Sequence, residues 1–124
     1  MPSEGQHISQ ARSNAQFLST LRQPPIRHPD WVVTVAFYTA LHMIDAHFAR
    51  TGQAGSHFRK HNERNTAVAN RLQSIADIYM GLYLASRRAR YECRLPPPGD
   101  AEQDLQDYYE PVISHMCSEL RITL

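Results

Sequence analysis

Three breaks rich in proline and glycine divide the 124-residue chain into four long segments. The breaks are Gln23–Pro29, Thr51–Ser56 and Leu95–Asp100. No stretch alternates polar and apolar residues with period two, and β-branched residues are sparse, so strands are not expected. The length suits one domain with a real core. The sequence therefore predicts a single all-α domain over residues 1–124, folded as an antiparallel four-helix bundle.

Each segment carries apolar residues at helical spacing. We predict helices near Ser9–Leu21, Asp30 to Phe48 or Arg50, Asn62 to Tyr91 or Cys93, and Asp100–Leu120. Asp30 and Asp100 are good N-cap residues for the second and fourth helices. Pro111 lies inside the last segment and has no N–H to donate, so we expect a kink there or a helix that begins at Glu110.

Charge is distributed unevenly along the chain, although the net charge is only +1. Through Tyr91 there are eleven cations and five anions, whereas after Tyr91 there are two cations and seven anions. Twelve of the thirteen cations are Arg, the residue that binds phosphate in a bidentate manner. The acidic fourth helix is expected to pair with a basic face, and we favour that of a neighbouring subunit.

Cellular location and redox state are constrained by what the sequence lacks. No apolar run approaches the length of a membrane span, and residues 1–10 do not resemble a signal peptide. We therefore expect a cytosolic protein that does not bind membranes. Cys93 and Cys117 are expected to be free thiols, because a chain that looks helical and unsecreted makes a poor case for a disulfide framework.

The second helix is mostly apolar, but Tyr38, His42 and Asp45 form one polar stripe along it, within an arc of roughly 60°. Polar groups on so apolar a helix need partners. They either hydrogen-bond to neighbouring helices or face solvent, or they line a cleft or subunit interface beside the functional residues.

The densest polar cluster in the chain is 56–65, which leads into the third helix. Cations at a helix N-terminus are unfavourable unless an anion is bound nearby, so this cluster is typical of a phosphate or carboxylate site. His61 could act as a general base, Arg64 could stabilise a phosphorane, and Asn65 could orient the substrate. Arg59 and Lys60 are candidate phosphate ligands.

A second basic cluster closes the third helix at 86–91. Arg87 and Arg90 are three residues apart and face the same way, and Tyr91 follows directly. This set could bind a backbone phosphate and a stacked base. Cations at a helix C-terminus also complement the helix dipole, so stability alone is an alternative explanation.

In this order the motifs resemble the HEPN domains, small helical bundles of prokaryotic toxin–antitoxin and phage-defence systems. The matching stretches are Ala36–His42, His61–Asn65 and Ser86–Tyr91. The resemblance implies a homodimer that handles RNA or a nucleotide, and in catalytic members a metal-independent endoribonuclease that needs no cofactor. It also implies an alternative, a noncatalytic binding or assembly module that partners a cognate antitoxin or a nucleotidyltransferase-type protein.

The catalytic members use an Arg followed four to six residues later by a His. Here the window after Arg64 contains no His, so we predict that His61, upstream of Arg64, is the base. A minor alternative is a metal site, in which His57 and His61 at i, i+4 spacing combine with His42 and Asp45.

Overall fold

The computed structural model describes residues 2–52, 60–93 and 95–124, and within these ranges it contains helices and no strand. The all-α prediction is therefore confirmed for the described residues. The helices are α1 (Glu4–Leu21), α2 (Pro29–Thr51), α3 (His61–Arg71), α4 (Ala76–Tyr91), α5 (Pro98–Asp104) and α6 (Glu110–Leu120).

Helix α1 begins at Glu4, five residues before the predicted start, because Ser3 caps it. The Ser3 hydroxyl accepts a hydrogen bond from the backbone N–H of Gln6 at 3.2 Å, and the Gln6 side chain accepts one from the Ser3 N–H at 2.8 Å. This reciprocal pair is a capping box, which satisfies two backbone donors that a helix start otherwise leaves free.

The predicted third helix is two helices, α3 and α4, joined by a 3₁₀ turn over Gln73–Ile75. At Leu72 the backbone leaves the helical region, with φ −125° and ψ 50°. The chain then folds back, so that the rings of His61 and Tyr83 lie 5.6 Å apart. In one straight helix, 22 residues would separate these rings by about 33 Å. The break therefore brings the two predicted functional clusters to the same side of α2.

The last helical region is continuous but irregular. A π-helical turn over Leu105–Tyr109 connects α5 to α6, and Pro111 occupies the first turn of α6. Proline is tolerated in a first turn, because the N–H that it lacks is not needed there. Helix α6 begins at Glu110, one of the two outcomes expected around Pro111, although the helical backbone continues into it from α5 through the π-helical turn.

Helix α2 is the centre of the core and contacts α1, α4, α5 and α6. By length and composition it could cross a membrane, since an 18-residue stretch of it has a mean hydropathy of 1.3. However, 78% of that stretch is buried inside the protein. The central helix of a packed domain has the same length and composition, so this helix is weak evidence for a membrane span.

Two acidic residues of the C-terminal region, Glu102 and Glu110, form ion pairs with Arg22 of the same chain, at 2.8 and 3.9 Å. Glu102 accepts hydrogen bonds from Nε and Nη2 of Arg22 at 3.0 and 2.8 Å, which ties α5 to the end of α1. For Glu102, the partner is therefore in the same subunit and not in the neighbouring subunit that we favoured.

Candidate functional site

The three polar residues of the α2 stripe each contact a different helix. Tyr38 accepts a hydrogen bond from Arg90 of α4, His42 bonds to His7 of α1, and Asp45 bonds to Arg64 of α3. Hydrogen bonding to neighbouring helices, one of the two interpretations of this stripe, therefore holds for each of them. Two of the partners, Arg64 and Arg90, are themselves predicted site residues.

Asp45 and Arg64 form a buried, bidentate ion pair. Nε of Arg64 donates to Oδ1 of Asp45 at 2.8 Å and Nη2 donates to Oδ2 at 3.0 Å, and each side chain is only 7% exposed. Such fork-shaped pairing fixes both position and orientation. The pair therefore anchors α3 on α2, and it sets the positions of His61, about one turn before Arg64, and of Asn65, the residue after it. Because its guanidinium is buried against a carboxylate, Arg64 is poorly placed to bind a phosphate.

Around His61 lies a group of aromatic rings and one guanidinium, which we term the His61 cluster: His61, Phe37, Tyr38, Tyr83 and Arg90. The His61 ring centre lies 5.6 Å from that of Phe37, 6.3 Å from that of Tyr38 and 5.6 Å from that of Tyr83. Cζ of Arg90 lies 5.3 Å from the centre of Phe37 and 5.4 Å from that of Tyr38. His61 and Arg90 therefore share two aromatic neighbours, although they are 29 residues apart in the chain.

Arg90 is held in place by neutral groups. Its Nε donates to the Ser86 carbonyl at 3.3 Å, its Nη2 to the Ser86 hydroxyl at 3.2 Å, and its Nη1 to the Tyr38 hydroxyl at 2.9 Å. The ring of Tyr91 lies 4.9 Å from Cζ of Arg90. Within the part of the chain that the structure describes, no carboxylate forms an ion pair with Arg90. Arg90 thus presents a half-buried positive charge in a fixed orientation that no described carboxylate neutralises, as an anion-binding guanidinium requires.

The environment of His61 favours its neutral form. Burial lowers the pKa of His61, the positive charges of Arg90 and Arg64 lower it further, and Asp45 acts in the opposite direction. A neutral imidazole can accept a proton at neutral pH, which is what a general base must do. The nearby cations that keep it neutral would also attract an anionic substrate.

Three buried polar atoms near this cluster have no hydrogen-bond partner among the described residues: Nδ1 of His61, Oδ1 of Asn65 and the hydroxyl of Tyr79. Asn65 lies one turn after His61 on α3, and Tyr79 lies one turn before Tyr83 on α4. Since buried polar groups are nearly always paired in native proteins, unpaired ones near a charged cluster are typical of a binding site.

The other predicted phosphate-binding residues lie at the edge of the cluster or outside the described part of the chain. Arg87 is exposed, and its Nη1 donates to the hydroxyl of Tyr83 at 3.4 Å. Tyr91 is 67% exposed. Lys60 is exposed in the N-cap position of α3. Arg59 lies outside the described residues.

His42 lies one turn after Tyr38 on α2, but its hydrogen bond goes to α1 and not to the cluster. Its Nδ1 is 3.1 Å from Nδ1 of His7, which is buried on α1. Burial lowers the pKa of His42, and the ring of His7 lowers it further. This histidine pair joins α1 to α2.

The predicted metal site cannot be assembled as proposed from the described residues. His57 lies outside them, and the carboxylate of Asp45 is occupied by Arg64. Among described residues, no group of three or more His, Cys, Asp or Glu side chains could hold a metal ion.

Sequence reasoning missed three residues of this site: Phe37, Tyr83 and Ser86. Phe37 is an apolar residue of the central helix and belongs to the core, so its type gave no signal of a place beside the site. The signal for the other two was the spacing of Tyr83, Ser86 and Arg90, since residues three or four apart share one helical face.

No protein-family model, curated protein or solved structure matches this chain.

Proposed function

We propose that this chain is a HEPN-like protein, built as a four-helix bundle in which α3 and α4 together replace the third helix, and that it cleaves RNA at the His61 cluster without a metal ion. The observation that carries the proposal is that His61 and Arg90 lie against the same two rings, those of Phe37 and Tyr38, while Arg90 forms no ion pair with a described carboxylate. Cleavage of RNA by attack of a 2′-hydroxyl on the adjacent phosphate requires a general base and a cation that stabilises the phosphorane, and a histidine beside a guanidinium supplies both.

In this mechanism His61 removes the proton of a ribose 2′-hydroxyl. The 2′-oxygen then forms a bond to the adjacent phosphorus, and the bond from phosphorus to the 5′-oxygen breaks, leaving a 2′,3′-cyclic phosphate. The 5′-oxygen takes a proton from water. Arg90, with Arg87 beside it, stabilises the extra negative charge of the phosphorane. Arg64 acts differently from our first expectation: through Asp45 it holds α3, and therefore His61, in position.

The remaining expectations belong to the same proposal. The protein would act in the cytosol as a homodimer, with a cognate antitoxin or nucleotidyltransferase-type protein as its partner. The resemblance to HEPN domains supports a dimer, whereas the apolar residues of α2 are covered by the other helices of the same chain.

The test is cleavage of a mixed RNA by the purified protein in EDTA. We expect cleavage that persists in EDTA, is lost in His61→Ala and Arg90→Ala, and leaves 2′,3′-cyclic phosphate ends. His115→Ala is the matched control, because His115 lies on α6 and its nearest charged contact is Glu119, at 3.7 Å. Circular dichroism of each variant confirms that it is folded. Intact RNA at high protein concentration contradicts the cleavage mechanism, and loss of cleavage in EDTA indicates a metal-dependent reaction.

One observation favours a second function, RNA or nucleotide binding without cleavage. Arg64 is engaged by Asp45 and the window after it contains no His, so the arrangement typical of catalytic HEPN domains is incomplete. Binding of RNA that requires Arg90, with no cleavage by the wild-type protein, would support this function.

A further inference from the structure

Only one nitrogen of the His61 ring is open to a substrate. The side chain is half-buried, and its Nδ1 is a buried atom without a hydrogen-bond partner among the described residues. Nε2 forms no hydrogen bond with a described residue either, yet it is not among the buried unpaired atoms, so it faces solvent. The base of the proposed function must therefore be Nε2. A neutral imidazole has one N–H, which must then lie on Nδ1 as a buried donor that needs an acceptor.

The acceptor closest to Nδ1 along the helix is the side-chain oxygen of Asn65. His61 and Asn65 are four residues apart on α3, so their side chains are neighbours on one face, with about 5–6 Å between the Cβ atoms. Oδ1 of Asn65 is also buried and without a partner, whereas the amide nitrogen of the same side chain is not among the buried unpaired atoms. The amide therefore turns its oxygen inward. A carbonyl oxygen only accepts, and it has two lone pairs.

The hydroxyl of Tyr79 approaches the same place from α4. The rings of His61 and Tyr79 lie 5.6 and 5.9 Å from the ring of Phe37. The charges of Asp45 and Arg64 act on the pKa of both side chains. Tyr79 is fully buried, and its hydroxyl is the third buried polar atom without a partner among the described residues. Burial raises the pKa of Tyr79, so the hydroxyl stays protonated and can donate.

One arrangement pairs all three buried atoms. In it, the Nδ1–H of His61 and the O–H of Tyr79 both donate to Oδ1 of Asn65, which has a lone pair for each. In the other tautomer of His61, Nδ1 is an acceptor, so a single O–H faces two acceptors and one of them stays buried and unpaired. A buried group left unpaired costs its full desolvation free energy. In the structure the three atoms are not within hydrogen-bond distance. Rotation of the Asn65 amide, whose terminal torsion is broad, is the adjustment that the arrangement requires.

We propose that Asn65 is a positioning residue for His61: its amide oxygen, which also accepts from Tyr79, holds the imidazole proton on Nδ1 and leaves Nε2 free to act as the base. The hydrogen bond at one ring nitrogen sets which tautomer a histidine adopts. This inference rests on the proposed function, and it replaces our first expectation that Asn65 orients the substrate. It concerns the free protein, so it can be tested without RNA.

The test is NMR of the free protein labelled with ¹⁵N-histidine, at pH 8, above the ordinary pKa of histidine. The ¹⁵N shifts show which ring nitrogen carries the proton, and the signals of His61 are those missing from His61→Ala. We expect the Nδ1–H tautomer in the wild type. In Asn65→Ala the population should shift toward the Nε2–H tautomer, which an imidazole favours in water. Asn65→Asp should retain Nδ1–H, because a carboxylate oxygen also accepts. Tyr79→Phe should retain it too, since His61 is then the only buried donor left for Oδ1.

Asn70→Ala is the matched control, because Asn70 is exposed on α3 and, nine residues after His61, points about 180° away from it. It should leave the tautomer unchanged. An Nε2–H tautomer in the wild type overturns the inference, and so does an Nδ1–H tautomer that survives Asn65→Ala. The wild-type measurement depends on no variant, and Asn65→Leu, which also lacks an acceptor, replaces Asn65→Ala if that variant does not fold.

Cleavage of RNA separates this inference from the proposed function. In a wild type that cleaves, the rate in Asn65→Ala should fall by about the same factor as the population of the Nδ1–H tautomer, because only that tautomer leaves Nε2 free. A tautomer that depends on Asn65 in a protein that leaves RNA intact upholds the inference and rejects the cleavage mechanism. Cleavage by a protein whose His61 carries its proton on Nε2 rejects the inference alone.

Discussion

Removing the carboxylate of Asp45 should destabilise this protein more than removing any surface charge. In Asp45→Ala, the guanidinium of Arg64 loses both of the hydrogen bonds that it donates to Asp45, at 2.8 and 3.0 Å, while it remains buried. Breaking a buried ion pair from one side costs about 3–5 kcal/mol, because a charge is left without its partner away from water. That loss is a large fraction of the stability of an ordinary domain.

For a domain of this length, each kcal/mol of lost stability lowers Tm by roughly 3–5 °C. We therefore expect Asp45→Ala to lower Tm by on the order of 10–20 °C. Urea unfolding followed by circular dichroism measures the change in the free energy of unfolding directly. The double variant Asp45→Leu with Arg64→Met, which replaces both charges by apolar groups, should recover most of the loss, since an apolar pair leaves no buried charge.

Glu102→Gln is the matched control. Its partner Arg22 is 32% exposed and Glu102 itself 27%, so water screens the pair. Pairs of this kind contribute about 0–1 kcal/mol. A loss below about 1 kcal/mol for Asp45→Ala, no larger than that of the control, would refute the reasoning and show that this pair does not anchor α3 on α2.

Two further predictions concern the packing of the helices. Burial and the neighbouring His7 ring lower the pKa of His42 in the folded state, so protonation favours the unfolded chain. The contribution of neutral His42 to the free energy of unfolding should thus be complete above about pH 6.5, the ordinary pKa of histidine. It should decrease as the pH falls below that value. Urea unfolding at pH 7.5 and pH 5.0 measures the change in the free energy of unfolding between the two pH values. We expect this change to be smaller in His42→Phe than in the wild type. Equal changes in the two proteins would contradict the assignment to His42. Gly81→Ala should destabilise the protein by about 1–3 kcal/mol despite the higher helix propensity of alanine, because the new Cβ would overlap the ring of Tyr108. Thermal unfolding tests it, and Tyr108→Ala in the same chain should relieve the overlap; a gain in Tm for Gly81→Ala alone would show that the ring moves freely.

Much of the secondary structure was predictable because it depends on local rules. The breaks at Gln23–Pro29 and Leu95–Asp100 separate helices as expected, since proline disfavours the interior of a helix; α2 and α5 begin at the last prolines of these breaks, Pro29 and Pro98, because proline is tolerated in a first turn. The start of α6 at Glu110 followed from Pro111 for the same reason. The division of the third helix at Leu72 was not predictable, because the apolar spacing continues through it from Val68 to Ile75.

The candidate site was predictable in its residue types but not in its pairing. From the sequence, Arg64 was predicted to stabilise a phosphorane and Arg90 to bind a backbone phosphate, so both were expected to meet an anion. Their difference arises from contacts with distant residues: Arg64 meets the carboxylate of Asp45, which neutralises it, whereas Arg90 meets the hydroxyl of Tyr38, which does not. Helical spacing describes one helix at a time and gives no information on which face of a second helix lies opposite.

The sequence by itself determined that the described chain is helical, that α2 is apolar enough to be central, and that His61 and Arg90 are candidates for chemistry. It did so because hydrophobic period, caps and breaks act over a few neighbouring residues. Only the tertiary structure decided that α3 folds back onto α4, which brings His61 and Arg90 to the same aromatic neighbours and buries Arg64 instead. Those outcomes depend on which helices pack together. A guanidinium is neutralised when the neighbouring helix places a carboxylate against it, and it keeps its charge for a ligand when that helix places a hydroxyl there.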